Sequence, residues 1–228
     1  MNRQLPAIML FDLDGTIIDS VPDIAVAVNA MRAESNMLPA AEDVVRSWVG
    51  QGLSVLMHRA LTDDDDGVAD AVDHKAAIAV FRRYYKDCCA QQTVVFEGGD
   101  ALLSWLASTD VRVAIVTNKP TSFAVRIAEV LGIAAYCDLI LGAEPDRALK
   151  PDPAALHEAV RHLGGGVAWM VGDTTFDRDA AIAAGIPFVG VQLEGNQGRN
   201  ICDVTTDDEP VFESLADLHA WLRGQIAE

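Results

Sequence analysis

Residues 10–20 read LFDLDGTIIDS, an apolar run that stops on two aspartates two positions apart, Asp12 and Asp14, with Gly15 directly behind them. The run starts at residue 7 (AIMLF, 7–11) and holds no polar residue, the pattern of a strand buried on both faces. Asp-x-Asp-Gly by itself is also an ordinary turn signature. What surrounds it decides between a turn and a site.

Further along, four more apolar runs follow: VRVAIVT (111–117), DLILG (138–142), VAWMVGD (167–173) and PFVGV (187–191). Helical patterns separate them near 121–131, 153–163 and 176–184, with a last helix expected near 211–226. Strand and helix in alternation imply right-handed crossovers and a doubly wound parallel sheet with helices on both faces, an α/β fold. Between Val21 and Gln92 no comparable strand occurs. VPDIAVAVNAMRAES carries a proline in its first turn, AAEDVVRSWV and GLSVLMHRAL follow, and a long amphipathic stretch runs to YYKDCC. The expected organisation is thus a core of residues 1–19 and 93–228 with a small alpha-helical cap, 20–92, inserted over the sheet edge.

A chain of 228 residues, half of them hydrophobic, suits one core domain with an insert. Its net charge of −17 argues against nucleic acid or an anionic membrane as partner, because like charges repel at long range. A small anionic substrate stays possible where the site supplies its own cations. Cys88, Cys89, Cys137 and Cys202 form neither a C-x-x-C pair nor a disulfide framework, as expected of reduced thiols. The first apolar run meets Asp12 too soon for a signal peptide or a membrane span, so the expected location is cytoplasmic. Monomer and homodimer both stay open.

In a parallel sheet of this type, ligands bind at the carboxyl ends of the strands. Four polar clusters fall there: Asp12 and Asp14; Thr117, Asn118 and Lys119; Lys150 in ALKPDP; and Asp173 and Asp177 in GDTTFD. Asp12, Asp14 and Asp173 gathered at one edge repel unless a cation sits among them, and an all-oxygen set favours Mg²⁺. Lys150 and the Thr117 hydroxyl suit phosphate oxygens. A carboxylate in line with a phosphoryl group can act as nucleophile, and a second, Asp14, can protonate the leaving alkoxide and then activate water.

Taken in order, DLDGT, the strand-terminal VTN, the KP lysine and GDTTFD resemble the four motifs of the haloacid dehalogenase superfamily over nearly the whole chain. The resemblance implies a Rossmann-like core, with Asp12 as nucleophile and Asp14 as acid/base. It implies Mg²⁺ on Asp12, the Asp14 carbonyl and Asp173, with Asp177 behind them, and phosphate on Thr117, Asn118 and Lys150. The helical insert matches that family's cap. VPDIAVAVNA, VRSWVGQGLSVLMHRAL and VTNKPTSFA are similar to phosphoglycolate phosphatases. VQLEGNQG lacks the Gly-Tyr pairing of those enzymes, and TTF is an unusual filling of the fourth motif.

If a substrate carboxylate is recognised, its expected donors are Lys119 and the Gly50, Gln51 and Gly52 turn at a helix start, with Arg46 steering. Phosphosugar mutase, sugar or pyrophosphate phosphatase and a non-catalytic binding protein remain alternatives. Against the last, neither Asp12 nor Asp173 is lost; against a dehalogenase, Asp14 has no task there. The remaining features read as structure. TDDDDG (62–67) lacks the alternation and final Glu of a calcium loop and is expected to leave aspartates at a helix N-terminus. The five histidines show no zinc spacing, Gly164–Gly166 is a helix stop, and Trp48, Cys88 and Cys89 are packing residues.

Overall fold

A computed structural model describes residues 5–194, 201–206 and 208–225. The first strand, β1 (Ile8–Phe11), is fully buried and lies inside a six-stranded sheet. On one side of it run β4 (Arg112–Pro120) and β5 (Leu139–Ala143). On the other come β6 (Ala168–Gly172), β7 (Phe188–Val191) and the short β8 (Val211–Phe212). Every pairing is parallel. Successive side chains of a strand point to opposite faces, so β1 feeds two cores. Met9 and Phe11 pack with α5 (Gly99–Ala107), α6 (Thr121–Val130) and α9 (Leu215–Gly224). Ile8 and Leu10 pack with α7 (Ala154–His162) and α8 (Thr175–Ala184). Each such buried aliphatic contributes about 1.5–3 kcal/mol relative to exposure.

Three elements depart from the sequence expectation. The α5 helix begins at Gly99 with Gly98 as its N-cap, a glycine pair that reads as loop, and it has no side-chain cap to announce it. Val211 and Phe212 extend the sheet as β8 instead of opening the last helix, which starts at Leu215 because the Ser214 side chain accepts from Asp217 N. Residue 226, the expected end of that helix, lies outside the described residues, as do 195–198 of VQLEGNQG. Lastly, β4 continues past 117 to Pro120 with a register shift against β5 between Val116 and Pro120. Thr117, Asn118 and Lys119 are therefore part of an irregular strand end, not of the loop beyond it.

Residues 21–88 hold four helices, α1 (Val21–Glu34), α2 (Glu42–Trp48), α3 (Leu53–Thr62) and α4 (Ala71–Cys88). The buried Arg32 of α1 ties α1 to the loop after it and to α3, donating to Leu38 O and Ala60 O and pairing with Asp63. Asp63 ends α3 in a left-handed conformation, and the α4 N-cap is Asp70, which accepts from Val72 N. The acidic run thus closes α3 and does not start α4. Trp48 and Cys89 are buried as packing residues.

The chain leaves the core and returns to it side by side, through an antiparallel ribbon of β2 (Ile18–Asp19) and β3 (Val94–Val95). Asp23, fully buried on α1, accepts from the backbone of Gln91, Gln92 and Thr93 and from the Thr93 hydroxyl. It sits in the first turn of α1, where an acid also suits the helix dipole. Its actual work is to staple the returning strand to the departing helix.

Candidate active site

At the carboxyl end of β1 the backbone turns at once: Gly15, Thr16, Ile17 and Ile18 close tight turns with Leu13 and Ile18 carbonyls. Gly15 has φ +88°, and a Cβ there would stand 2.3 Å from Asp173 Oδ2. Only glycine serves the turn and also admits the carboxylate from the next strand. Likewise, a Cβ at Gly172 would lie 2.4 Å from Asp177 Cβ. Asp173 follows β6, and Asp177 is held in a capping box with Thr174 at the start of α8, its Oδ2 accepting from Thr174 N and Oγ1. Carboxylate oxygens of Asp12, Asp173 and Asp177 consequently meet within 4.8 Å of one another, all buried.

Lys150 Nζ sits among them, 2.6 Å from Asp177 Oδ1, 2.9 Å from Asp12 Oδ1 and 2.8 Å from Val116 O. The Asp12 contact is an ion pair, and among the described residues neither Asp12 Oδ1 nor Asp173 Oδ2 accepts a hydrogen bond. Burial, helped by the Asp177 charge, pushes the Asp12 carboxyl up to about 6 against the pull of Lys150. Burial, then the Asp177 and Asp12 charges, hold Asp173 well above the ordinary carboxylate range, although Thr16 donates to its other oxygen at 2.7 Å. Two buried oxygens that accept no hydrogen bond among the described residues, one of them ion-paired to Lys150, sit on acids that resist ionisation, an oxygen-only donor set that one ammonium does not neutralise. This set fits a hard divalent cation.

Beside the metal-type cluster stands a separate ion pair. Lys119 Nζ lies 2.9 and 3.1 Å from the two Asp14 oxygens, and Ser20 Oγ also donates to Asp14 Oδ1. Burial opposes the Lys119 charge, but Asp14 and Tyr85 more than offset it and raise its pKa. The sequence reading gives Lys119 to a substrate carboxylate; here its charge pairs with Asp14. Arg46, expected to steer the substrate, is likewise found in ion pairs. It makes a two-pronged pair with Asp19 and a further one with Glu42, turned to the ribbon.

Asn118 is one of the expected phosphate ligands, yet its side chain is engaged as a strap. Its amide donates to Lys150 O and Gly50 O and accepts from Lys150 N. The strap holds Lys150 at the carboxylates and pins the turn before α3 onto the core. Thr117 Oγ1 accepts from Lys119 N. Gly50 and Gly52 line a cavity together with Asp12, Asp14, Thr117, Asn118 and Lys119. Gln51 faces an outer recess with His58 and Arg59.

On its far side the cavity is lined by Ile24, Val49, Leu53, Leu56, Phe81 and Tyr85, from the helical block. Sequence reasoning missed Thr16, Ser20 and Tyr85. The TIIDS that follows DLDG could have pointed to the first two, since it keeps two hydroxyls within six residues of Asp14. Tyr85 shows no such signal, because in an amphipathic helix it reads as core.

The sequence model of the haloacid dehalogenase-like hydrolases matches residues 9–191. The chain is 41% identical over 218 residues to the phosphoglycolate phosphatase of Neisseria meningitidis serogroup A, covering 94% of this chain and 93% of that protein. It is 39% identical over 203 residues to that of Pseudomonas fluorescens Pf0-1, covering 88% of this chain and 74% of the relative. Among solved structures, a predicted phosphoglycolate phosphatase from Haemophilus somnus 129Pt superposes with a TM-score of 0.84 at 28% identity, covering 94% and 97% of the two chains.

Proposed function

Since the chain belongs to the haloacid dehalogenase-like hydrolases and is a phosphoric monoester hydrolase, we propose that it is Mg²⁺-dependent, works through an aspartyl-phosphate on Asp12 and acts on 2-phosphoglycolate. The observation that carries the chemistry is the meeting of three buried carboxylates, two with oxygens that accept no hydrogen bond among the described residues, beside the Asp14–Lys119 pair. The substrate rests on the relatives named phosphoglycolate phosphatase. Residues 1–19 and 93–228 form the core in this reading, and 20–92 the cap that closes on the substrate.

Asp12, Asp173 and the Asp14 carbonyl would hold the ion, with Asp177 behind. When bound, Mg²⁺ offsets the carboxylate charge and polarises the phosphoryl oxygens. The chain's own groups do the rest. An Asp12 oxygen bonds to phosphorus as the ester oxygen leaves, and Asp14 gives that oxygen its proton. Incoming phosphoryl oxygens compete for Lys119, which frees one Asp14 oxygen to carry the proton. In the second half, Asp14 takes a proton from water, the hydroxide oxygen bonds to phosphorus, and Asp12 departs as the free carboxylate. A mutase would need further cations for a second phosphate. Among the described lining residues Lys119 is the one cation, and Asp14 claims it. The chain has no helix, among its described residues, long and apolar enough to cross a membrane. We read it as a cytoplasmic enzyme of small phosphorylated metabolites, with neither nucleic acid nor membrane as partner.

The test is a panel of 2-phosphoglycolate, pyrophosphate and hexose phosphates, each with Mg²⁺ and with EDTA. The expected result is the highest kcat/KM for 2-phosphoglycolate, abolished by EDTA and restored by Mg²⁺. Preference for a hexose phosphate or pyrophosphate would overturn the substrate, and full activity in metal-free buffer would overturn the metal. Lys119→Met gives a second check. Because Lys119 orients Asp14, its loss should lower kcat by a similar factor, roughly 10–100-fold, for esters with and without a carboxylate. A KM increase confined to 2-phosphoglycolate would instead return Lys119 to substrate binding.

A further inference from the structure

The cap contributes one side chain to the cavity that is neither apolar nor accounted for. Its other lining side chains, Ile24, Val49, Leu53, Leu56 and Phe81, offer no hydrogen-bonding group. Tyr85, on α4, is 1% exposed, and among the described residues no group accepts its hydroxyl hydrogen. The ring is held firmly: it stacks on Phe81 at 5.1 Å and meets Phe123 of α6 edge-on at 4.9 Å. Lys119 Nζ lies over its face, 5.0 Å from the centroid. An ammonium only donates, so whatever its approach it leaves the phenol hydrogen without an acceptor. Burial holds the phenol above its ordinary range, and it stays a donor at any working pH.

Buried donors without acceptors are rare in folded proteins, and one in a ligand cavity calls for an acceptor that arrives with the ligand. We propose that the Tyr85 hydroxyl is a specificity-determining donor that binds an acceptor on the alcohol part of the substrate, which in 2-phosphoglycolate is the carboxylate. This rests on the substrate reading above. The neighbouring features fit the role. The apolar walls exclude water from the new bond and so strengthen it. Lys119 stands between Tyr85 and Asp14 with its charge paired to Asp14, and Gly50 and Gly52 bring backbone groups to the same cavity. Because the phosphoryl machinery sits on the core and Tyr85 on the helical block, the two ends of a short substrate would bridge the two parts.

Tyr85→Phe keeps the ring and removes only the hydroxyl. The discriminating pair of substrates is 2-phosphoglycolate and ethyl phosphate, which carries a methyl group where the other has its carboxylate. In the variant, the ratio of kcat/KM for 2-phosphoglycolate over ethyl phosphate should fall by roughly tenfold to a hundredfold, as for a lost hydrogen bond to a charged group. The fall should appear mainly in KM for 2-phosphoglycolate, since the bond is made in the ground state as well as the transition state. The ligand-free Tm should equal or exceed that of the wild type, because no protein partner is lost. A ratio within twofold of wild type, or a Tm several degrees lower, overturns the Tyr85 assignment while leaving 2-phosphoglycolate as substrate. A wild-type enzyme that does not prefer 2-phosphoglycolate to ethyl phosphate overturns the substrate reading and Tyr85 with it.

Discussion

Asp12→Asn is expected to lose turnover by about 10⁴-fold or more and to keep its fold, since removal of a covalent nucleophile costs on the order of 10⁴ to 10⁶ in other enzymes. The amide fills the same volume but does not attack phosphorus. Nothing in the surrounding structure depends on the lost charge alone. Lys150 keeps Asp177 Oδ1 and Val116 O, and the bond from Asp12 N to Val171 O belongs to the backbone. Burial raises the Asp12 carboxyl to about 6, so its ionised form weakens the metal-free fold at pH 7 relative to pH below the unfolded value. A neutral residue relieves that penalty. In EDTA the variant should therefore melt at or above the wild-type temperature. More than about a tenth of wild-type turnover would sink the assignment, because tenfold is only about 1.4 kcal/mol of barrier.

The features legible in the sequence are those with a repeating or local signal. Five of the six sheet strands show as apolar runs, since a strand covered on both faces has no polar side to interrupt it. The acids of DLDGT and GDTTFD are legible because they stop such runs. Residues whose role depends on what the fold brings from elsewhere are not. Asp23 shows no sign of its role until the fold brings Gln91–Thr93 beside it. Lys119 looks like a free cation beside Asn118 until the bend at the end of β4 carries it onto Asp14, 105 residues earlier. Asn118 reads as a phosphate ligand, and the further work of its amide on Lys150 and Gly50 is not legible. In each case a polar side chain offers hydrogen bonds in several directions, and only the tertiary contacts choose among them.

Charge explains why these pairings matter in so acidic a protein. Four carboxyl groups, Asp12, Asp14, Asp173 and Asp177, are buried near two ammoniums, Lys119 and Lys150. A phosphate dianion brought to this set without a metal would meet net repulsion, so metal should bind before substrate. Lys119 and Lys150 do not form a free cationic patch. They hold two acids in two different settings, Asp12 against the cation-type cluster and Asp14 away from it beside Ser20. Separate environments for paired carboxylates are how one site keeps a nucleophile and a proton carrier apart.

Asp14→Asn tests that separation. It should cost on the order of 10² to 10⁴ in turnover of alkyl phosphates, whose alkoxides need a proton to leave. An aryl phosphate with an activated leaving group should show a smaller loss in single-turnover phosphorylation of the enzyme, and equal losses on both would count against the acid role. The variant also strips Lys119 of its counter-charge. Leaving one partner of a buried pair alone typically costs about 3–5 kcal/mol, so the Tm should fall. That fall by itself could lower activity, and the double variant Asp14→Asn, Lys119→Met separates the two effects. With both charges gone, the apolar methionine side chain stands beside Tyr85 and the new amide at position 14 keeps a hydrogen bond to Ser20, so stability should largely return. Turnover of alkyl phosphates should not return, because the proton donor is still missing. If the double variant regains turnover along with its Tm, Asp14 serves the fold and the proton comes from another group.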